Sequence, residues 1–250
     1  MPRSRCHFAL LGQLHNALYD QLPDIAEVVD REAPSFYAGG IAPDALRYFS
    51  DLGKFGTHFY SESRRETWGH AVSGLFDTHP DLSDPAGLPE SSLALLIGYI
   101  SHLTVDEAFR DEVTIHVHGT DDWRPIINGL WSIVDEIPVE QEGLVDALAG
   151  YTGQSDVGFI IGSMVREFAE LVAPWAETED SWEAEKVFLE LVGNRSPEDE
   201  AREVWAKNRE KAAVFIHPDR TTRFIDTALR VGLEEVTAFV NGGYCKIPCT

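Results

Sequence analysis

Cationic side chains are scarce in this sequence. Its 250 residues contain 20 Lys and Arg, of which only five are Lys, against 42 Asp and Glu, so the formal net charge is −22. A nucleic-acid footprint needs clustered Lys and Arg that neutralise phosphates, and docking on anionic lipid needs the same charges. The composition therefore argues against extended nucleic-acid binding and against electrostatic membrane binding. We interpret the acidic surface first as a solubility device, with salt adaptation as the alternative.

Cysteines and long apolar runs are equally scarce. The three cysteines, Cys6, Cys245 and Cys249, are odd in number and lie at the two ends of the chain, a spacing that fits neither a disulfide framework nor a zinc ribbon. No stretch reaches the roughly 18–20 apolar residues that span a bilayer. The N-terminal segment "MPRSRCHFALLGQLHNALYD" has basic residues before a short apolar run, but no cleavage site follows. We interpret it as a first helix and not a signal peptide, and expect a cytoplasmic location.

Alternation of apolar and polar residues, the pattern of a half-buried strand, is also rare. The one candidate is "VTIHVHG" at 113–119, which could equally be the frayed end of a helix. Apolar residues spaced by three and four dominate instead, as in "SSLALLIGYISHLTVDEAF" and "TRFIDTALRVGLEEVTAFV". We therefore predict an all-α, multi-helix bundle of about eight to ten helices, folded as a single domain over residues 1–250.

Helix breakers separate these segments at 32–35, 78–92, 118–125 and 193–200. In "SPEDEAREVW" the sequence predicts Ser196 as the helix cap and Pro197 as the first helical residue, with acidic residues following near the positive end of the dipole. The apolar segment "VGFIIGSMVREFAELVAPW" is most simply core, although it could also line a pocket or the interface of a homo-oligomer.

The segment "IGYISHLTVDEAF" at 97–109 places two polar side chains inside an apolar helix. His102 and Asp106 are four residues apart, so their side chains emerge from one face, roughly 5–6 Å from each other. One interpretation is a core histidine bonded to its neighbouring carboxylate. A buried carboxylate nevertheless needs a cation or a metal in compensation, and the alternative is a metal site with further ligands elsewhere.

Candidate ligands lie on both sides of this helix. Upstream, His7 is near the start, Asp44 follows the turn "GGIAP", and His58 comes fourteen residues later in "GTHFY". Downstream, "DEVTIHVHG" supplies His116 and His118. Nitrogen and carboxylate donors without thiolates suit zinc, or iron or manganese where the site is open.

Taken together, these ordered elements resemble the zinc-dependent phospholipase C / P1 nuclease family. The matching pieces are "CHFAL", "GGIAPDALRYF", "THFY" followed by "TWG", and "GYISHLTVDEAF". The resemblance implies an all-helical bundle of that type around up to three zinc ions. It also implies that Asp106 bridges the first metal and a second metal, and that His7 is a ligand of the second. The four ligands of the first metal would be, in chain order, Asp44, His58, His102 and Asp106.

A third metal in that family takes two histidines and a glutamate further along the chain. Here Arg110 stands where related sequences often continue with a histidine, and His116 and His118, with Asp135 or Glu136 as the acid, do not match the spacing cleanly. We expect this site to be lost or rebuilt, so that one to three ions bind. Residues 1–135 carry the resemblance, whereas 136–250 are additional helices of unassigned role.

These ligands permit hydrolysis, since a metal lowers the pKa of a bound water from 15.7 to about 7. Asp44 is the catalytic candidate, because a carboxylate can ligate with one oxygen and accept a proton at the other. Next to His58, Tyr60 or Trp68 is expected to wall the substrate pocket, with a place in the core as the alternative for Trp68. Arg64, or its neighbour Arg65, is expected to bind a phosphate or carboxylate oxygen. The alternative is that Arg64 pairs with neighbouring glutamates on a solvated helix.

Three functions remain open on the sequence. The first is a metal-dependent hydrolase acting on a phosphoester or related small-molecule substrate. The second is a biosynthetic metalloenzyme on the same scaffold, acting on a small molecule with different chemistry. The third is a non-catalytic helical module with a structural metal, in which protein groups fill every coordination position.

Overall fold

The computed structural model describes residues 2–59, 69–140, 142–178 and 180–245. Within these ranges the chain forms thirteen α-helices, three short 3-10 helices and an isolated β-bridge between Val157 and Ile160, with no strand. The prediction of an all-α fold is confirmed, although the helices outnumber the roughly eight to ten expected from periodicity. In the same ranges, every helix is too short or too polar to cross a membrane.

The first half of the chain contains seven α-helices in the described residues. They are α1 (Ser4–Gln21), α2 (Pro23–Arg31), α3 (Ala33–Gly39), α4 (Ala42–Phe49), α5 (Gly53–His58), α6 (Ala71–Thr78) and α7 (Glu90–Glu112). Two 3-10 turns, Pro80–Leu82 and Pro85–Gly87, lead into α7, and a third, Thr114–His116, follows it.

The second half adds six α-helices, of which α9, α10 and α13 pack on the first half. They are α8 (Trp123–Val134), α9 (Leu144–Gly150), α10 (Gly162–Glu177), α11 (Ser181–Leu191), α12 (Glu198–Ala213) and α13 (Pro218–Val240). Helix α13 packs along α7 and α1, α10 packs on α4, and α12 packs on α8. Three helices beyond residue 135, α9, α10 and α13, therefore pack against the first half.

Helix α7 is the central element of the bundle. Every residue from Ala94 to Phe109 is buried, because α3, α13, α1 and α6 surround it. A helix that is buried on all sides needs apolar residues all round, and this explains why the segment lacks a polar face. His102 and Asp106, two of the polar residues in this stretch, consequently face other protein groups and not water.

Two glycines let the backbones of α3 and α7 touch. A Cβ atom on Gly98 would lie 2.1 Å from the carbonyl oxygen of Phe36, and one on Gly39 would lie 2.0 Å from that of Leu95. Both distances are far below a van der Waals contact, so only glycine fits at either position. This approach brings the turn after α3 directly against the face of α7 that carries His102.

The buried apolar side chains form two clusters that meet along α1 and α7. The larger includes Phe8, Leu103 and Phe239, and the smaller includes Cys6, Val105 and further residues of α8 and α13. His7 lies between Cys6 and Phe8 in the chain, and Asp106 follows Val105. The polar residues of α1 and α7 thus sit at the junction of the two clusters.

Two local expectations are decided by the structure. Of the two alternatives for residues 113–119, the strand is wrong: α7 ends at Glu112 and the chain turns into the 3-10 helix Thr114–His116. The predicted cap is displaced by one residue: Pro197 is the cap of α12, and the helix begins at Glu198. Pro197 has an extended ψ of 144°, so it precedes the first turn and does not form part of it.

Candidate metal centre

Five polar side chains from four helices converge inside the bundle. Each is at most 7% exposed, and together they form two overlapping groups in which the candidate ligand atoms lie within 4.8 Å of one another. His102 belongs to both groups. The groups are His7, His102 and Asp106, and Asp44, His58 and His102. These buried groups could hold a metal ion.

The ring of His102 is oriented by the backbone of the turn after α3. Its Nδ1 lies 2.8 Å from the carbonyl oxygen of Gly40. A carbonyl oxygen only accepts, so Nδ1 carries the proton and donates it, and Nε2 is left with its lone pair. The close packing of α3 on α7, which Gly39 and Gly98 allow, brings this carbonyl within reach.

His58 is oriented in the same way by a hydroxyl group. The hydroxyl of Thr57 lies 3.0 Å from the carbonyl oxygen of Gly53, the usual i−4 acceptor of a helical threonine. Its oxygen therefore accepts from Nδ1–H of His58, 2.8 Å away, and Nε2 of His58 also keeps its lone pair. Helix α5 ends directly after His58 because Phe59 has a left-handed φ of 54°, a conformation that is uncommon for a bulky side chain.

The two imidazoles turn these lone pairs toward each other and toward two carboxylates. The Nε2 atoms of His58 and His102 are 3.3 Å apart. Nε2 of His58 also lies 3.5 Å from Oδ1 of Asp44 and 3.7 Å from Oδ2 of Asp106. Acceptor atoms at these distances repel one another, and a cation among them would offset this repulsion. Two ligands of a tetrahedral zinc at 2.0–2.1 Å stand about 3.3–3.4 Å apart, which is close to the observed spacing.

The two oxygens of Asp106 face different histidines. Oδ2 is directed to His58, whereas Oδ1 lies 3.6 Å from Nε2 of His7. The carboxylate is fully buried. Burial opposes its ionisation, but the nearby His102 and His58 outweigh that effect and lower the pKa of Asp106 below its ordinary value. A carboxylate placed in this way can bridge two neighbouring cations.

His7 stacks on His102 with the ring centroids 3.8 Å apart and the planes nearly parallel at 6°. In the described part of the chain neither ring nitrogen of His7 has a hydrogen-bond partner, although the residue is buried. Burial and, second, the proximity of His102 lower the pKa of His7 to about 3. Burial likewise lowers the pKa of His58 to about 4. Both rings are therefore neutral at pH 7 and available as ligands.

Asp44 lies in the first turn of α4 and faces a cavity. Burial opposes the ionisation of its carboxylate, but contacts with His58, His102 and Arg47 outweigh burial and lower the pKa of Asp44. The guanidinium of Arg47, one turn along α4, lies 3.7 Å from Oδ1. Asp44 is the member of the two ligand groups that also lines the cavity.

This cavity, which we call the Asp44 cavity, has a volume of about 300 Å³. Its described wall is aromatic and cationic. The indole N–H of Trp175, which is 2% exposed, has no hydrogen-bond partner among the described residues. The aromatic and cationic lining residues are Tyr48, Trp131, Phe168, Trp175, Phe188, Arg3, Arg47 and Lys54.

The other predicted site residues have different positions. His116 and His118 are exposed around the third 3-10 helix, and in the described residues they belong to neither group of candidate ligands. The chain leaves the core after α7, which carries both imidazoles outward. Tyr60, Arg64 and Trp68 lie outside the described residues, so their predicted substrate contacts stay predictions.

The acids suggested for a third metal have other contacts in the structure. Asp135 accepts a hydrogen bond from the backbone N–H of Cys6 at 3.0 Å, and burial raises the pKa of Asp135 to about 6. Glu136 accepts from Arg209 at 2.7 Å and from Ser181. The structure therefore gathers no third group of ligands around these two acids in the described residues.

Sequence reasoning missed the groups that orient the histidines. Gly40 and Thr57 both lie in segments that contain candidate ligands, "GGIAPD" and "GTHFY". A hydroxyl directly before a candidate ligand is a usable signal for Thr57. The carbonyl of Gly40 gives no such signal, because any residue has one and only the close packing of α3 on α7 makes it available.

Comparison of this chain with protein-family profiles, with curated proteins and with solved structures found no match. The geometry of the site itself therefore carries the functional argument.

Proposed function

We propose that this chain is a metal-dependent hydrolase that cleaves a phosphoester, with zinc as the first candidate metal. The observation that supports it is that, among the described residues, two oriented Nε2 lone pairs at 3.3 Å converge with two carboxylates at 3.5 and 3.7 Å. The same residues carry the resemblance to the zinc-dependent phospholipase C / P1 nuclease family, which remains part of the proposal.

A cavity beside one ligand favours a catalytic role over a structural one. Structural zinc sites are closed by four protein ligands, whereas catalytic sites keep a position open to water and substrate. Here Asp44 connects the ligand group to the Asp44 cavity of about 300 Å³. That volume is at the lower end of pockets that hold small molecules.

The residues around the cavity have separable tasks. A bound divalent cation would supply Lewis acidity and a water whose pKa falls from 15.7 to about 7. His58 and His102 are held in their ligand tautomers by Thr57 and Gly40. Asp44 accepts a proton at the carboxylate oxygen that faces the cavity. Arg47, which lines the same cavity, contacts a phosphate oxygen and neutralises its charge.

The proposal is tested on purified full-length protein by its metal content and by hydrolysis of p-nitrophenyl phosphate and bis(p-nitrophenyl) phosphate. We expect bound zinc, and release of p-nitrophenol that stops on chelation and returns with zinc. His102→Ala should abolish both, whereas His217→Ala, which changes an exposed histidine at the start of α13, should leave both unchanged. A protein that binds no metal and keeps its unfolding temperature in chelator contradicts the proposal.

A second candidate is a biosynthetic metalloenzyme that acts on a small aromatic or apolar molecule. The aromatic wall of the Asp44 cavity favours it, because five aromatic residues line this small volume. Metal-dependent binding of such molecules without hydrolysis of any phosphoester, or iron or manganese in place of zinc, would select this candidate. A closed site whose metal has no exchangeable water would instead select the structural module.

A further inference from the structure

A second cavity adjoins the Asp44 cavity and shares part of its wall. We call it the basic groove. Its volume is about 370 Å³, and the two cavities share Arg47, Lys54 and Trp131 as lining residues. The groove continues along the first turns of α8, where Trp123, Arg124 and Asn128 line it. A ligand that fills the Asp44 cavity can therefore extend into the groove past Arg47.

The charge of these two cavities is opposite to that of the whole chain. The chain has 42 acidic and 20 basic residues, yet the described lining of the groove contains no Asp or Glu. Asp44 is the one acidic residue in the described lining of the Asp44 cavity. The basic lining residues of the groove are Arg47, Lys54, Arg110 and Arg124. Cations concentrated in this way within an acidic protein attract an anion to one place on its surface.

These cations differ in how far other groups already engage them. Arg3, in the wall of the Asp44 cavity, is bound by the buried carboxylate of Glu185 and lies over the ring of Phe188. Arg47 lies 3.7 Å from Asp44. Arg124 is exposed, and its guanidinium lies over the ring of Trp123 at 5.0 Å. Stacking on an aromatic ring leaves the N–H groups of a guanidinium free to bind carboxylate or phosphate oxygens.

We propose that the substrate carries a second anionic group, which binds in the basic groove at Arg124 while its phosphoester lies at Asp44 and Arg47. This inference rests on the proposed function. The substrate class is a small organic molecule with two anionic ends, phosphate or carboxylate, joined by a flat or apolar body. Tyr48, Phe168 and Trp175 pack against that body.

The structure favours such a small molecule over a nucleic acid. The two cavities together hold roughly a small-molecule volume, and the acidic excess of the whole chain repels an extended polyanion. The affinity should therefore depend on the number of anionic ends in a compact ligand. Lengthening a polyanion beyond the two cavities should not raise the affinity further.

The test is calorimetric titration of the zinc-loaded, full-length protein with phosphonates, which resist hydrolysis. Phenylphosphonate has one anionic end. 4-Phosphonobenzoate and 4′-phosphonobiphenyl-4-carboxylate have two, at one-ring and two-ring spacing. Because a charge-assisted hydrogen bond is strong, we expect at least one two-ended ligand to bind about tenfold or more tightly than phenylphosphonate. Raising the salt concentration should reduce this preference.

Variants locate the second anion. Arg124→Ala should bring the preference for two-ended ligands close to onefold, and Arg124→Lys should retain part of it. Arg230→Ala is the matched control, because Arg230 is an arginine of α13 that pairs with Glu234 and lines neither cavity. It should leave the preference unchanged.

Other outcomes overturn the inference. Equal affinity for one-ended and two-ended ligands, or a preference that survives Arg124→Ala, would exclude the groove as the second anion site. Tighter binding of a thymidine tetranucleotide than of either two-ended ligand would assign the groove to nucleic acid. Hydrolysis and zinc content measured on the same preparation keep the two proposals separate. If the protein binds zinc and hydrolyses the phosphoester but binds one-ended and two-ended ligands equally, only this inference fails. If it prefers two-ended ligands but binds no zinc or hydrolyses no phosphoester, only the proposed function fails.

Discussion

The Nε2 atoms of His58 and His102 face each other at 3.3 Å, while each ring donates its other N–H to a fixed acceptor. Neither imidazole can hydrogen-bond the other in these tautomers, because both Nε2 atoms are acceptors. A proton shared between them is disfavoured, since burial lowers the pKa of His58 to about 4. A metal cation between the two Nε2 atoms would satisfy both rings at neutral pH.

The orienting hydroxyl of Thr57 should matter for metal affinity. Thr57→Val keeps the shape of the side chain but removes the acceptor of Nδ1–H of His58. Loss of such an outer partner weakens metal binding about 10- to 100-fold in comparable sites. Competition with a chromophoric chelator measures the change. Thr104→Val is the matched control, because Thr104 is also buried and bonds a carbonyl of its own helix. An equal loss in both variants would contradict an orienting role for Thr57.

The contact between α3 and α7 should be intolerant of a single methyl group. In Gly98→Ala the new Cβ would meet the carbonyl oxygen of Phe36 at 2.1 Å, so the helices must separate. We expect a loss of about 1–3 kcal/mol in the free energy of unfolding, measured with urea. Metal affinity should fall too, since the carbonyl of Gly40 moves with α3. Gly87→Ala has 3.6 Å of clearance and should change neither quantity. Tolerance of Gly98→Ala would show that the backbones do not touch.

Asp135 predicts a pH dependence of stability. Burial raises the pKa of Asp135 to about 6, from an ordinary value of 3.8. Between these values the folded state keeps a proton that the unfolded state has lost. The contribution of Asp135 to the free energy of unfolding is therefore fully present below pH 3.8. It falls as the pH rises to about 6.

The variant Asp135→Asn isolates this effect. Relative to the wild type, it should gain about 3 kcal/mol of unfolding free energy between pH 4 and pH 7, because its amide stays neutral. Asp20→Asn, at an exposed aspartate of α1, should show no such trend. A wild type that instead gains stability relative to Asp135→Asn over this range would show that Asp135 acquires a cationic partner, as a ligand of a third metal would.

Arg47 should act on substrate and not on metal. Of the candidate ligands it contacts only Asp44, at 3.7 Å, and it lines the Asp44 cavity. Arg47→Ala should lower kcat/KM for p-nitrophenyl phosphate about 10- to 100-fold, since a charge-assisted contact is lost. Zinc content should not change. Arg166→Ala, at an exposed arginine of α10 paired with Glu170, is the control. Loss of zinc in Arg47→Ala would show that the residue supports the ligand set instead.

Part of the fold could be predicted because helical periodicity is local. The all-α class, and the breaks before α3, α8 and α12, follow from spacing and from Pro and Gly positions. The central place of α7 could not be predicted with the same certainty. Its residues are apolar all round, and such a segment does not reveal which helices surround it.

The site was predictable as far as residue types mark it. His102 and Asp106 stand out because an imidazole and a carboxylate are unusual inside an apolar helix, and a buried carboxylate indicates that a compensating partner exists. Which distant side chains join them depends on packing. His7, Asp44 and His58 are brought in by α1, α4 and α5, whereas His116 and His118 leave the core where α7 ends. As residue types, His116 and His118 are as suitable for a metal as His7 and His58, so composition alone does not separate the two pairs.

The central claim is that a cation gathers these ligands, and counting metal ions tests it most directly. Native mass spectrometry of zinc-reconstituted wild type, Asp106→Asn and Asp111→Asn gives the number of ions per chain. Because Asp106 faces His58 with one oxygen and His7 with the other, the account predicts bound zinc in the wild type and a loss of more than one ion in Asp106→Asn. Asp111→Asn, at an exposed acid of the same helix, should match the wild type. A wild type without a bound ion, or with the same ion count as Asp106→Asn, would contradict it.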